Sequence, residues 1–279
     1  MTFHGLIRIT RPVNAVVAGI ASVVAYLIAT GTVVPAAALL VVIVALITAA
    51  GNVINDYCDA AIDAVNRPDR PIPSGAVGRR TAGWYATGLF IAGIAVSVLT
   101  NPVCIAIAVF NSLLLAAYAT RLKRLPLAGN IAVSYLSGSI FLFGGALAGP
   151  ENLVHVAPVA VITFFAMLAR ELIKAAEDVE GDRQGGAETL PIRIGVTGTV
   201  RAAFATVVLA VSASFVPYLW WGPWYLAGIV IVDAVILFAA VRSLRCSTPE
   251  CVKQSGASTL LKAGFFASLV VFALSAVFA

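Results

Sequence analysis

At 279 residues, with 61% hydrophobic and 11% charged side chains and a mean hydropathy of +0.99, the chain lies far outside the globular range, where about a quarter of residues are charged. This excludes a large soluble domain, because several membrane crossings of about 20 residues each take up the available length. The 18 Lys and Arg against 13 Asp and Glu give a net charge of +5, which in so apolar a chain reflects loops at a membrane surface, and no nucleic-acid partner is expected.

Apolar runs between Pro, Gly and charge clusters predict nine spans, near 12–30, 34–57, 82–100, 102–120, 130–149, 155–178, 199–217, 223–242 and 257–278. The expected fold is an all-α integral membrane bundle, a single domain over 1–279. Arg8 and Arg11 ahead of the first run imitate a signal peptide, but no cleavage pattern follows, so this run is read as the first helix. Loops on one side carry Arg67, Arg70, Arg79 and Arg80, then Arg121, Lys123 and Arg124, then Arg183 and Arg193, then Arg242, Arg245 and Lys253. The opposite loops, near 31–34, 100–102, 149–155 and 217–223, contain no Lys or Arg. The positive-inside rule therefore predicts a cytoplasmic N-terminus in the cell membrane, with the C-terminus outside. The two long loops, 58–81 and 179–198, lie on the basic side, which places function there.

The charge pattern sharpens this placement. In "NVINDYCDAAID", residues 52–63, each helical residue advances about 100°, so from Asn52 the offsets are about +40° for Asp56, −20° for Asp59, +20° for Asp63 and −60° for Asn55. One stripe holds all five. In "RELIKAAEDVEGD", residues 170–182, the same arithmetic from Glu171 gives about −60° for Lys174, −20° for Asp178 and +20° for Asp182, with Glu177 and Glu180 turned away. Clustered carboxylates beside hydrocarbon are costly unless they face water, a partner or a cation. Carboxylate oxygens are hard ligands, and Mg²⁺ binds through one or two of them while keeping positions for water and phosphate. Two facing stripes could hold Mg²⁺ with a bridging diphosphate, and Arg67, Arg70, Lys123, Arg124 and Lys174 offer further cations to such a leaving group. An allylic prenyl chain can part from a neutralised diphosphate as a stabilised carbocation, provided water is excluded.

These motifs resemble a known family. "NDYCDAAID" fits the NDxxDxxxD pattern of the UbiA superfamily of intramembrane prenyltransferases, "DVEGD" fits its second DxxxD pattern, and "NRPDRPIPSG" is similar to the basic loop after the first motif. The resemblance covers essentially the whole chain. It implies that Asn55, Asp59 and Asp63, with Asp56 beside them, are first-site Mg²⁺ or diphosphate ligands. By the same token Asp178 and Asp182 hold a second ion, and Arg67 and Lys123 contact diphosphate. "RPVN" resembles the family's first-helix opening, which implies that Arg11 and Asn14 lie near the cavity; a positive-inside anchor and an N-terminal cap are the alternative reading. "RELIKAAEDVEGDRQGGAETLPIRIG" is most similar to the archaeal digeranylgeranylglyceryl phosphate synthases, which join geranylgeranyl diphosphate to geranylgeranylglyceryl phosphate. That resemblance implies an oxygen nucleophile and an acceptor phosphate, for which Arg70, Arg124, Arg170 and Lys174 are surplus cations; anionic lipid headgroups would suit them equally. Quinone-type and chlorophyll-type acceptors share much of the pattern.

The competing class is a cation-coupled transporter, but its carboxylates would sit near the midplane, whereas both stripes lie at helix ends. The four cysteines form no CxxC pair, and with only His4 and His155 available a zinc site is not expected; Cys246 and Cys251 are read as free thiols. Asp233, midway along a span, is left without a role, Glu151 and His155 read as loop residues, and "YLWWGPWY", residues 218–225, reads as an interfacial aromatic belt.

Overall fold

The computed structural model describes residues 2–278. Its α-helices, in chain order, are α1 (Phe3–Thr10), α2 (Pro12–Thr30), α3 (Ala38–Asn66), α4 (Arg79–Ser97), α5 (Pro102–Thr120), α6 (Ala128–Ala148), α7 (Leu153–Glu177), α8 (Val179–Gln184), α9 (Leu190–Ser214), α10 (Tyr218–Ser243), α11 (Pro249–Ser255) and α12 (Ala257–Phe278). There is no strand among the described residues. Each predicted span falls on one long helix, and eight of these have the length and apolarity to cross a membrane. The remaining one, α4, opens on Arg79 and Arg80, is less apolar, and lies along α3.

Helices are the solution that hydrocarbon demands, because every backbone group must be paired within its own segment. Buried hydroxyls obey the same rule by turning back on their own helix: Ser22 donates to the Gly19 carbonyl and Ser112 to that of Ala108. Lipid offers little hydrophobic drive between helices, so close backbone approach at small residues supplies the packing. A Cβ on Gly138 of α6 would meet the Ala160 carbonyl oxygen of α7 at 2.7 Å, and one on Gly144 would collide with the Ser22 carbonyl of α2. These two glycines fix α6 between its neighbours. The bundle thus arranges α2, α3, α5, α6, α7 and α12 around a central cavity, with α4 outside α3 and with α9 and α10 packed against α7 and α12 respectively.

Three departures from the predicted boundaries matter. Helix α3 runs nine residues past the predicted end of its span, to Asn66; its 29 residues extend about 43 Å against a hydrocarbon core of about 30 Å, so the first acidic motif rides on a projecting helix end. The segment before α2, unassigned from the sequence, is the short amphipathic α1, with Ile9 buried and Phe3 80% exposed. In the second basic loop, α9 already starts at Leu190, and the helix kinks at Gly195, where φ is +77°.

The free-thiol reading of Cys246 and Cys251 is corrected: the two form a disulfide. The turn between α10 and α11, in which the Thr248 side chain accepts from the Cys251 N–H, brings their Cα atoms to 5.3 Å, within disulfide range. Cys58 and Cys104 are free. Asp233 finds the polar neighbour that burial requires, accepting from the Ser214 hydroxyl at 2.6 Å, while Tyr225 donates to the Ser214 carbonyl at 2.6 Å. Of the predicted aromatic belt, Trp220 and Trp224 are exposed, but Trp221 turns inward against Tyr225 and Phe272.

Candidate active site

The first acidic motif is divided by the structure into two pairs. Its register is helical throughout, so Asn55 and Asp59 share one flank while Asp56 and Asp63 share the other. On the first flank, the Lys123 ammonium lies between the Asn55 side-chain oxygen, at 3.3 Å, and Asp59, with which it forms an ion pair. The Asn55 amide also donates to the second Asp59 oxygen at 3.1 Å, which fixes that carboxylate. Lys123 is delivered by a 3-10 turn, Leu122–Arg124, against whose backbone Gly129 packs too closely for any Cβ.

On the second flank, Asp56 and Asp63 are buried and neutralised by arginine. Arg70 reaches Asp56 at 3.1 Å and Asp63 at 2.6 Å, and Arg11 reaches Asp56 at 2.6 Å. Arg11 holds a left-handed backbone, φ +50°, between α1 and α2, with Pro12 opening the second helix. Such a conformation is uncommon without glycine and persists where surrounding contacts enforce it. The sequence placed Arg11 near the cavity through a resemblance; here its guanidinium is bound to the motif itself.

The second motif does not keep the unbroken helix assumed in the angular arithmetic. Helix α7 ends at Glu177, Asp178 has non-helical dihedrals, and α8 begins at Val179. An Asp182 N–H to Asp178 carbonyl bond of 3.0 Å nevertheless holds the two residues one turn apart. Burial pushes the Asp182 carboxyl above its ordinary range, and the Asp178 charge adds to this, while Lys174 opposes it. Arg170 pairs with its neighbour Glu171 at 2.7 Å, and its Nε is buried without a partner. Arg67, Arg124 and Lys174 make no ion pair among the described residues.

A cavity of about 520 Å³ opens among α2, α3, α5, α6, α7 and α12 and reaches Asn52 and Asn55 of the first motif. Its rim carries Arg11, Asn14, Asn52, Asn55 and Tyr118, and Ile43, Ile47, Phe143, Phe265 and Phe272 line the interior. Most polar groups gather at one end of a largely apolar chamber, whose wall also carries Asn111, Ser137, Thr163 and Ser268, a layout that holds a ligand with a charged head and a hydrocarbon tail. Asn52 is positioned by donating to the Thr10 carbonyl at 3.0 Å. Sequence reasoning missed Tyr118 and the α12 phenylalanines, because a tyrosine or phenylalanine within an apolar run carries no signal that it faces a cavity.

The donor set suits a divalent cation of the Mg²⁺ type. An amide oxygen and a carboxylate oxygen already converge on one cation, the Lys123 ammonium, and all the candidate ligands are hard oxygens. No group of three His, Cys, Asp or Glu side chains converges in metal-ligand geometry among the described residues. A site of this kind leaves the remaining positions to water and phosphate.

Comparison with known proteins agrees with this geometry. A digeranylgeranylglyceryl phosphate synthase from Methanoregula boonei is 63% identical over 278 residues, covering 100% of both chains. The solved structure of a digeranylgeranylglyceryl phosphate synthase superposes with a TM-score of 0.86 at 33% identity over 99% of each chain. A UbiA homologue from Archaeoglobus fulgidus, bound to GPP and Mg²⁺, shares the fold with a TM-score of 0.68 at 17% identity, over 95% of this chain and 99% of its own. The sequence model of the UbiA prenyltransferase family matches residues 16–277, and the chain belongs to that family: it is a multi-pass membrane prenyltransferase.

Proposed function

We propose that this prenyltransferase moves a geranylgeranyl group from geranylgeranyl diphosphate to the free hydroxyl of geranylgeranylglyceryl phosphate, giving digeranylgeranylglyceryl phosphate and diphosphate in archaeal ether-lipid synthesis. The observation that carries the reading is the cavity, largely apolar and reached at one end by Arg11 and by Asn52 and Asn55 of the first acidic segment. The 63% identity to a relative of that name, over the full length of both chains, supports the choice of acceptor.

Asn55 and Asp59 on one side, and Asp178 and Asp182 on the other, would hold Mg²⁺, with Asp63 and Asp56 completing the first motif. When bound, the metal supplies charge that neutralises the diphosphate and makes it a better leaving group. Lys123 and Arg67 contact the same diphosphate, and Lys123 exchanges its Asp59 contact for phosphate oxygens as substrate enters. Arg70 and Arg11 hold Asp56 and Asp63 in place, which fixes the helix end that carries Asp59. Asn14 and Asn52 orient the head at the rim. Arg124, Arg170 and Lys174 take the acceptor phosphate and thereby deliver the glycerol hydroxyl to C1 of the allylic chain. The C1–oxygen bond to diphosphate breaks as the new ether bond forms, and the hydroxyl proton leaves to a carboxylate of the site or to the departing diphosphate. The apolar chamber keeps water from the allylic cation.

By the positive-inside rule the site faces the cytoplasm and the C-terminus lies outside. Diphosphate release by the purified protein, with and without geranylgeranylglyceryl phosphate, tests the assignment. Mg²⁺-dependent release that requires this acceptor is expected; release supported instead by a hydroxybenzoate would keep the prenyl transfer and overturn the acceptor.

A further inference from the structure

A second cavity, of about 460 Å³, lies at the basic end of the bundle, where α10 meets α11, and shares no lining residue with the prenyl chamber. Arg242 and Arg245 stand one turn apart on its wall, no carboxylate lines it, and neither arginine makes an ion pair among the described residues. At the first acidic motif, by contrast, Arg11, Arg70 and Lys123 are each held by an aspartate.

The surroundings of the two cations define the ligand. Arg242 lies over the Phe238 ring, 5.7 Å from its centroid, a cation–π contact within α10. Phe238 and Val241, on the membrane side of the arginines, are 58% and 46% exposed and form an apolar ledge. Gln254 of α11 adds an amide donor, and the Cys246–Cys251 disulfide forms the back wall by clamping the α10–α11 turn. A pair of guanidiniums just beyond an apolar ledge fits a phosphate that carries hydrocarbon chains on one side.

We propose that this cavity binds the phosphate headgroup of an anionic membrane lipid, with Arg242 and Arg245 on the phosphate and the chains lying along Phe238 and Val241. The proposal is independent of which acceptor the enzyme prenylates. The detergent-solubilised full-length protein can be titrated with dioleoyl phosphatidate, dioleoyl phosphatidylcholine and inorganic phosphate, and bound species counted by native mass spectrometry. The parent should hold one more phosphatidate than the Arg242→Gln/Arg245→Gln double variant, whose affinity at this site should fall about thirty-fold. Lys253→Gln, which removes an exposed charge outside the cavity, should bind as the parent does. Equal phosphatidate binding by parent and double variant, or an equal loss in Lys253→Gln, would overturn the site; inorganic phosphate bound as tightly as the lipid would overturn the lipid as ligand. Phosphatidylcholine should not distinguish the variants, and if it does the charge argument fails. A photoactivatable phosphatidate on the unaltered protein gives a measure that needs no variant: label should fall within residues 238–255, and label found only elsewhere refutes the proposal.

Discussion

At the residue scale, the two flanks of the first motif predict different phenotypes. Asp59 is held by Asn55 and Lys123 alone, so Asp59→Ala should leave the fold intact and lower kcat/KM about a hundred-fold or more, as measured by Mg²⁺-dependent diphosphate release. Arg70 holds two buried carboxylates, and Arg70→Ala leaves both with less compensation, which should cost about 3–5 kcal/mol and appear first as a lower unfolding temperature. The sequence could not separate these residues, because offsets of −20° and +20° describe one stripe. Only the positions of Lys123 and Arg70, far apart along the chain, tell which flank is open and which is locked. Asp233 is the converse case. The sequence left it without a role although ionisable groups at midspan are usually functional, and the structure satisfies it through Ser214 and leaves it outside the cavity lining. Asp233→Ala should lower stability by about 1–3 kcal/mol while turnover of the folded protein stays unchanged.

At the element scale, α6 is wedged between α2 and α7 by glycines, and the cavity wall depends on that approach. Gly138→Leu must push α6 away from the Ala160 carbonyl, and should cost about 1–3 kcal/mol and raise KM for the prenyl diphosphate through a displaced wall. Helix α1 buries Gly5 and Ile9 and leaves Phe3 and Ile7 on the opposite, exposed face. A second apolar face on a helix of eight residues belongs at the lipid boundary, since it is far too short to cross. Bimane attached at Ile7→Cys should therefore be quenched by brominated lipid in vesicles and shielded from aqueous iodide. The nine long helices were legible, eight of them with the length and apolarity of a crossing, because apolar runs broken by Pro, Gly and charge report burial in lipid directly. Element α1 and the long tail of α3 were not legible, since mixed polar and apolar residues at a membrane surface serve helix and loop equally well. In the second acidic motif only the continuity of the helix was not legible: Asp178 interrupts it, while Asp178 and Asp182 stay one turn apart.

At the scale of the whole molecule, the proposed site draws on two sequence-distant acidic motifs, so activity should be an all-or-none property of the assembled site. Chelation of divalent cations from the purified enzyme should abolish diphosphate release and restoration of Mg²⁺ should return it, with the unfolding temperature rising as the metal relieves the carboxylates. The sequence by itself determined the class, the spans, the basic face and the prenyl-transfer chemistry, because membrane burial and motif spacing are local properties of the chain. Only the tertiary structure decided that Lys123 guards Asp59 while Arg11 and Arg70 lock Asp56 and Asp63, that Cys246 joins Cys251, and that α12 walls the cavity. Each of these depends on where one helix end meets another, and helix packing at glycines and ion pairing between distant loops set those meetings.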